Sequence, residues 1–199
     1  MAASLGAAYV GVIFAGGPRE LTPERAKEVL SDVARPVRRV GVFAGQDAAE
    51  IRRIVDLVGL DVVQLHGEAT EGRIAEVRGA VKADIWPVVR VTESLPPETA
   101  SLIELADGVL LDAFSPKALG GTGVSFSWSA IAAELHSIRG EKPIILAGGL
   151  RPENVGEAIA ALAPDVVDVS SGVERAPGIK DHERMRAFRD AVMHASIST

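Results

Sequence analysis

Short apolar runs recur along the whole chain, with starts roughly 23 to 35 residues apart, a spacing typical of repeated strand–helix units. Most of these runs are apolar at every position rather than at alternate positions, as in strands that are covered on both faces in a parallel sheet. The pattern therefore predicts seven parallel strands, at Tyr9–Phe14, Arg39–Phe43, Val62–Leu65, Ile85–Val91, Gly108–Leu111, Pro143–Ala147 and Val166–Ser170.

A small or acidic residue precedes four of these runs, and each is followed by a stretch rich in Val or Leu. The leading residues are Ala8, Asp61, Asp107 and Asp165. This shared local form supports a repeated unit.

The segments between the strands predict helices with recognisable starts. Thr22 is an N-cap residue followed by Pro23 at the first helical position, and Asp47 with Glu50 resembles a capping box. Ser127, Pro152 and Asp181 open three further predicted helices. By helical spacing we expect inward-facing residues at Ala26, Val29, Leu30 and Val33, at Ile51, Ile54, Val55 and Val58, at Ile131 and Leu135, at Val155, Ile159 and Leu162, and at Met185, Phe188 and Val192.

Alternating strands and helices leave two main architectures, an open doubly wound sheet or a closed (βα)8 barrel. The segment after the first strand, Phe14-Ala-Gly-Gly-Pro-Arg19, is not the Gly-x-Gly-x-x-Gly turn of dinucleotide-binding open sheets. Polar and Gly-rich segments follow almost every strand, among them Gly120-Gly-Thr-Gly123, and barrels carry their chemistry in such loops. We predict an α/β barrel that forms a single domain over residues 1–199.

Composition narrows the functional classes. The 199 residues carry a net charge of -6 without a basic block, so we expect no nucleic-acid binding. They contain no run of about 18 apolar residues, so we expect no membrane span. The absence of Cys excludes disulfides and thiolate chemistry within these residues. No His, Asp and Glu set has metal-ligand spacing, so we predict no metal. We interpret the chain as a cytoplasmic enzyme.

The last two predicted strands both end in small residues, Gly148-Gly149 and Ser170-Ser171-Gly172. Small residues expose backbone N–H groups and let an anion approach closely. Consecutive late loops of a barrel often bind phosphate, although such glycines can also serve only to make tight turns. We predict a phosphate site in these two loops.

Four other side chains are candidates for chemistry. Asp112 ends a strand, where partial burial can raise the pKa of a carboxyl enough for general acid work, although a loop Asp that caps a turn is common. Asp168 lies within the predicted last strand, where a charge needs a partner, and Arg19 is a possible one. Arg19 could bind a carboxylate through its guanidinium or lie solvated at the surface. His66 follows a strand, a position where histidines are more often structural than catalytic.

At these residues the sequence resembles phosphoribosylanthranilate isomerase, the (βα)8 enzyme of tryptophan biosynthesis. The matching segments occur in family order over nearly the whole chain. They are Tyr9–Phe14 with Pro18-Arg19, Val40–Phe43, Val63–Gly67, Leu111-Asp112 with Gly120–Gly123 and Phe126–Trp128, Leu146–Asn154, and Asp168–Glu174 with Pro177–Asp181.

The resemblance implies an Amadori rearrangement of N-(5-phosphoribosyl)anthranilate without a cofactor. Asp112 matches the family's general acid, and Arg19 matches the residue that meets the anthranilate carboxylate. Gly148, Gly149, Ser170, Ser171 and Gly172 match the phosphate loops. Asp168 would help hold the anthranilate side of the substrate, and we include His66 among the substrate-binding residues. The expected partner is a phosphorylated sugar, bound by a monomer or a homodimer.

One departure concerns the first strand of the family, of the type Lys-Ile-Cys-Gly, whose Cys is the general base. The seven predicted strands correspond to the family's second through eighth. Either the sequence starts at an internal Met of a longer product, which we favour, or the protein is a variant with an incomplete barrel. With an acid but no matched base, the 199 residues are expected to have severely reduced isomerase activity, unless His66 or a carboxylate serves as the base.

Two alternatives stay open. One is another phosphoribosyl-binding barrel isomerase, of the histidine-pathway type, which would be expected to use two Asp residues on opposite strands. The other is a truncated, inactive barrel that binds phosphate without turnover. The first is disfavoured by Pro18-Arg19 and Gln64-Leu-His-Gly67, and the second would not need Asp112.

Overall fold

The computed structural model describes residues 1–67, 69–112 and 128–197, and only the backbone of residues 129, 130 and 197. The predicted Gly120–Gly123 loop and the Ser127 cap lie outside the described residues. The strands are β1 (Tyr9–Ile13), β2 (Arg38–Phe43), β3 (Val62–Leu65), β4 (Asp84–Arg90), β5 (Val109–Asp112), β6 (Ile144–Ala147), β7 (Val166–Val167), β8 (Glu174–Ala176) and β9 (Ile179–Lys180). The helices are α1 (Pro23–Leu30), α2 (Ala48–Val58), α3 (Glu71–Ala80), α4 (Thr99–Leu105), α5 (Trp128–Ile138), α6 (Val155–Leu162) and α7 (His182–Ile197).

The chain divides into two compact units. The first contains Met1–Val88 and Leu105–Gly108, and the second contains Val89–Glu104 and Val109–Thr199. β4 crosses the boundary between them.

In the first unit, β1, β2, β3 and β4 are parallel and lie in chain order, with Val40 paired to Val62 and Val62 paired to Asp84. Every residue of β3, including Gln64, is buried, as expected for a strand covered on both faces. α2 buries the four side chains that its spacing predicts, Ile51, Ile54, Val55 and Val58. Ile74 and Val77 of α3 and Ile85 of β4 are also buried.

In the second unit, β5, β6 and β7 are parallel, with Leu111 paired to Leu146 and Leu146 paired to Val167. β6 is buried along its whole length. A short antiparallel hairpin of β8 and β9 follows β7, and Gly178 (φ +78°) forms its turn. The sequence pattern did not predict this hairpin.

The predicted helix caps are confirmed where their side chains meet free N–H groups. Thr22 accepts from the Arg25 N–H, Asp47 from the Glu50 N–H, and Asp181 from the Glu183 and Arg184 N–H groups. Two helix details were wrong. Val29 is 46% exposed rather than inward-facing. The helix predicted to open at Pro152 begins at Val155, because Asn154 first closes a turn onto the Arg151 N–H and the Gly149 carbonyl.

The last parallel strand is shorter than predicted. β7 ends at Val167, so Asp168 follows the strand instead of lying within it. The Asp168 N–H still donates to the Leu146 carbonyl at 2.8 Å, which continues the β6–β7 ladder by one bond. Beyond it the backbone turns into a 3₁₀ segment at Ser171–Val173.

The aspartates that precede strands have a shared structural role. Asp61 accepts from the Arg39 N–H of the neighbouring strand at 2.8 Å and pairs with Arg35 at 2.5 Å. In the same way, Asp107 accepts from the Ile85 N–H and pairs with Arg78. Asp165 accepts from the Ile144 N–H and pairs with Arg139. Each carboxylate therefore ties the start of its own strand to the start of the strand before it and to an upstream arginine.

We expect Asp61→Asn to make the stability of the protein less dependent on pH. Burial opposes the charged form, but the Arg39 N–H and the Arg35 guanidinium outweigh it, so the pKa of Asp61 lies below its ordinary value. A lowered folded-state pKa gives stability that is present above the unfolded pKa and is lost as the pH falls through the folded pKa. Denaturant unfolding should show Asp61→Asn about 1 kcal/mol less stable than wild type at pH 7. The difference should shrink towards pH 3, and a constant difference would contradict this role of the charge.

Candidate active site

The loops after β2 and β3 border a cavity of about 640 Å³ in the first unit. His66 and Gly67 line it from the end of β3, and Arg73 and Glu76 line it from α3. The His66 N–H donates to the Phe43 carbonyl at 2.8 Å, which fixes the backbone at the point where the side chain leaves the strand. His66 is half-buried, so its imidazole is accessible to a ligand.

Gln46 connects the ends of β1 and β2 beside this cavity. Its side-chain amide donates to the Phe14 carbonyl at 2.6 Å, and its side-chain oxygen accepts from the Ala44 N–H at 2.8 Å. The Arg73 guanidinium, paired with Glu76, donates to the Gln46 carbonyl. Phe14 begins the loop that carries the half-buried Arg19, so Gln46 anchors the base of that loop.

We expect Gln46→Ala to lower the free energy of unfolding by about 1 to 2 kcal/mol, because the Phe14 and Ala44 backbone groups lose their partners. A loosened Arg19 loop should also raise KM for an anionic substrate about threefold. Asp61→Asn is the matched control, since it has a comparable cost at the opposite ends of the strands and should leave KM unchanged. Equal KM values for both variants would show that Gln46 has no part in positioning the loop.

In the second unit, the loops after β6 and β7 pack directly on each other. A Cβ atom added at Gly172 would lie 1.8 Å from the Leu150 carbonyl oxygen, so only glycine allows this approach. Gly148 and Gly149 have φ values of +93° and +64°, which favour glycine. Within the described part of the chain, the N–H groups of Gly149, Ser171 and Gly172 donate to no protein acceptor. Two small-residue loops with free donors therefore lie side by side.

Two carboxylates lie at the same ends of strands in the second unit. Asp112 ends β5, half-buried, and its carbonyl accepts from the Val91 N–H at 2.9 Å. Asp168 directly follows β7. Desolvation by the surrounding protein raises the pKa of Asp168, Lys180 opposes this, and Asp112 adds to it.

The residues predicted from sequence all lie at the carboxyl ends of strands or in the loops that follow. Arg19 and His66 belong to the first unit, and Asp112, Gly148, Gly149, Asp168 and Ser170–Gly172 belong to the second. The pairing of Arg19 with Asp168 stays a prediction. Sequence reasoning missed the roles of Gln46, Glu174 and Lys180, although the last two lie within segments that carry the family resemblance.

Neither a metal cluster nor a membrane helix is found in the part of the chain that the structure describes. Among those residues, no three His, Asp or Glu side chains group as metal ligands would. None of the described helices is long and apolar enough to cross a bilayer.

A family model and individual relatives both match nearly the whole chain. The family model for N-(5'phosphoribosyl)anthranilate (PRA) isomerase matches residues 1–191. The N-(5'-phosphoribosyl)anthranilate isomerase of Paracoccus denitrificans is 42% identical over 194 residues, covering 94% of this chain and 87% of the relative.

Solved structures give the same relationship. The phosphoribosyl anthranilate isomerase of Thermus thermophilus has a TM-score of 0.81 at 33% identity, and the alignment covers 97% of this chain and 91% of that one. A phosphoribosyl anthranilate isomerase in complex with reduced 1-(o-carboxyphenylamino)-1-deoxyribulose 5-phosphate has a TM-score of 0.80 at 31% identity, with the same coverage. The predicted α/β barrel class, with seven parallel strands, is confirmed.

Proposed function

The chain belongs to the N-(5'phosphoribosyl)anthranilate isomerase family of tryptophan biosynthesis, and we propose how its residues perform the Amadori rearrangement of N-(5-phosphoribosyl)anthranilate. The aldosamine substrate becomes 1-(2-carboxyphenylamino)-1-deoxyribulose 5-phosphate. An acid protonates the furanose ring oxygen, which opens the ring to an iminium ion. A base then removes the C2′ proton, and the resulting enolamine tautomerises to the ketone. The reaction needs no cofactor.

The observation that carries this proposal is the close packing of the loops after β6 and β7. Gly172 lies against the Leu150 carbonyl, and the N–H groups of Gly149, Ser171 and Gly172 have no protein acceptor among the described residues. Backbone N–H groups without a protein acceptor suit a phosphate group, because they can bind it without a charged side chain. The phosphate of the substrate binds here, with Gly148 and Ser170 completing the two loops.

Asp112 is the general acid. It ends β5, and its strand position pairs with Ala147, the residue directly before Gly148. A carboxyl group next to the first phosphate loop can reach the furanose ring of a substrate whose phosphate is bound in that loop. Asp168, which directly follows β7, holds the anthranilate side of the substrate.

Arg19 and His66 contribute from the first unit. By their place in the segments that match the family, Arg19 is assigned to the anthranilate carboxylate, through a bidentate guanidinium contact, and His66 to substrate binding. The family's Cys base has no counterpart in these 199 residues, which contain no Cys. His66 or a carboxylate is the candidate for the base.

The chain acts as one domain over residues 1–199, which is supported by the continuous match of the family model to residues 1–191. A biosynthetic role supports a cytoplasmic location.

The proposal is tested by incubating the protein with N-(5-phosphoribosyl)anthranilate generated in situ. We expect the substrate fluorescence to decay faster than the uncatalysed rate and the ketosamine to accumulate, with inorganic phosphate as a competitive inhibitor. A structure with the reduced product analogue should show its phosphate at Gly149 and Ser171–Gly172. Binding of that phosphate elsewhere would overturn the residue assignment. No acceleration of the reaction would overturn the proposed function, whether or not phosphate binds.

A further inference from the structure

An ion pair lies beside the second phosphate loop. Glu174 begins β8 with its side chain only 4% exposed, and Lys180 ends β9 directly opposite it in register. The Lys180 Nζ atom lies 3.1 Å from Glu174 Oε1. A buried carboxylate is destabilising unless a cation pairs with it. Glu174 therefore favours the position of the Lys180 ammonium group beside it.

The same ammonium group holds the loop after β7. The Lys180 Nζ atom donates to the Ser170 carbonyl oxygen at 2.9 Å. The Ser170 carbonyl and the Ser171 N–H belong to one planar trans peptide group, in which the two point in opposite directions. Fixing the carbonyl towards Lys180 therefore directs the Ser171 N–H away from Lys180.

Other contacts hold the hairpin against this loop. The Asp181 N–H, next to Lys180, donates to the Val173 carbonyl at 2.8 Å. The Arg184 guanidinium donates to the Glu174 carbonyl at 3.4 Å. The position of Lys180 is consequently fixed by the backbone hydrogen bond of Asp181 as well as by the ion pair with Glu174. Both contacts hold Lys180 where its ammonium group can donate to the Ser170 carbonyl.

We propose that Lys180, held by Glu174, is a positioning residue that aims the Ser171 N–H at the phosphate group of the substrate. Lys180 acts through the Ser170–Ser171 peptide group and does not itself contact the phosphate. This inference rests on the proposed function, because the phosphate site is part of it.

The first test replaces the ammonium and measures both substrate kinetics and phosphate binding. We expect Lys180→Met to raise KM and the dissociation constant of inorganic phosphate about tenfold each, with kcat changed less than about threefold, because the lost interaction acts on binding in the ground and transition states alike. Lys180→Arg should restore both constants to within about threefold, since a guanidinium can donate to Glu174 and Ser170 together.

A double variant separates this effect from a general loss of stability. Lys180→Met removes the ammonium that pairs with the buried Glu174 carboxylate, whereas Glu174→Gln/Lys180→Met removes both charges of this ion pair. The double variant should unfold closer to wild type and keep the tenfold increase in KM. The control is Arg139→Met, which breaks the Arg139–Asp165 pair at the start of β7 and should leave KM and phosphate binding unchanged.

Glu174→Gln alone distinguishes positioning from direct contact. If Lys180 only positions the loop, loss of its anchor weakens phosphate binding. Tighter binding would mean that the released ammonium contacts the phosphate, and would overturn the proposal. If KM were unchanged in both variants that carry Lys180→Met, the positioning role of Lys180 would be overturned, whereas isomerase activity of these proteins would still support the proposed function.

If the protein had no isomerase activity but Lys180→Met still weakened its phosphate binding, the positioning role would stand and the proposed function would be overturned. A wild-type protein that binds no phosphate would overturn both.

Discussion

Asp112→Asn should lower kcat about 10²- to 10⁴-fold, the range typical of a lost general acid, and leave KM within about threefold of wild type. Asn has nearly the same shape as Asp and preserves the end of β5, where the Asp112 carbonyl accepts from Val91. Its amide cannot transfer a proton to the ring oxygen. Steady-state kinetics with N-(5-phosphoribosyl)anthranilate measure the effect, and inorganic phosphate should still bind as in wild type.

The matched control for this substitution is Asp165→Asn. Asp165 precedes β7 at the opposite ends of the strands, where it accepts from the Ile144 N–H and pairs with Arg139. Its side chain is 45% exposed, so we expect a stability loss below about 1 kcal/mol and unchanged kcat. If Asp112→Asn also left kcat unchanged, Asp112 would not be the acid. If neither wild type nor variant turned over while both bound phosphate, the protein would be the inactive phosphate-binding barrel that the sequence left open.

Local sequence patterns were sufficient for the parallel strands and for the placement of the loops that follow them. β3 was predicted to the residue, because Val62–Leu65 is buried on both faces and every position must be compatible with the core. The strand-leading aspartates were visible in the sequence, but their arginine partners were not. Arg35 and Arg139 each lie 26 residues before the aspartate they bind, and only the parallel register brings them together.

Elements with few buried side chains escaped prediction. α3 buries only Ile74 and Val77 among its residues and contains Gly72 and Gly79, so its apolar spacing is too sparse to identify a helix. The β8–β9 hairpin is mostly exposed, and ion pairing at Glu174 helps to hold it together. For the same reason the role of Lys180 could not be inferred, because it depends on a cross-strand register that no apolar pattern encodes.

Gly172→Ala should raise KM and the dissociation constant of inorganic phosphate by about 10- to 100-fold. The new Cβ atom would lie 1.8 Å from the Leu150 carbonyl oxygen and 2.9 Å from its carbonyl carbon, and backbone atoms cannot rotate aside as a flexible side chain can. The loops after β6 and β7 must therefore separate, which would move the N–H groups of Ser171 and Gly149 away from each other. Forced overpacking of this kind also lowers stability by about 1 to 3 kcal/mol.

Gly140→Ala is the control for this last effect, because its Cβ would meet only a side-chain atom of Ile103 at 3.7 Å, an ordinary van der Waals distance. It adds the same methyl group to the second unit, outside both phosphate loops, and should change neither KM nor phosphate binding. A Gly172→Ala protein that bound phosphate like wild type would show that the close approach of the two loops serves packing alone. The phosphate site would then have to be sought elsewhere in the protein.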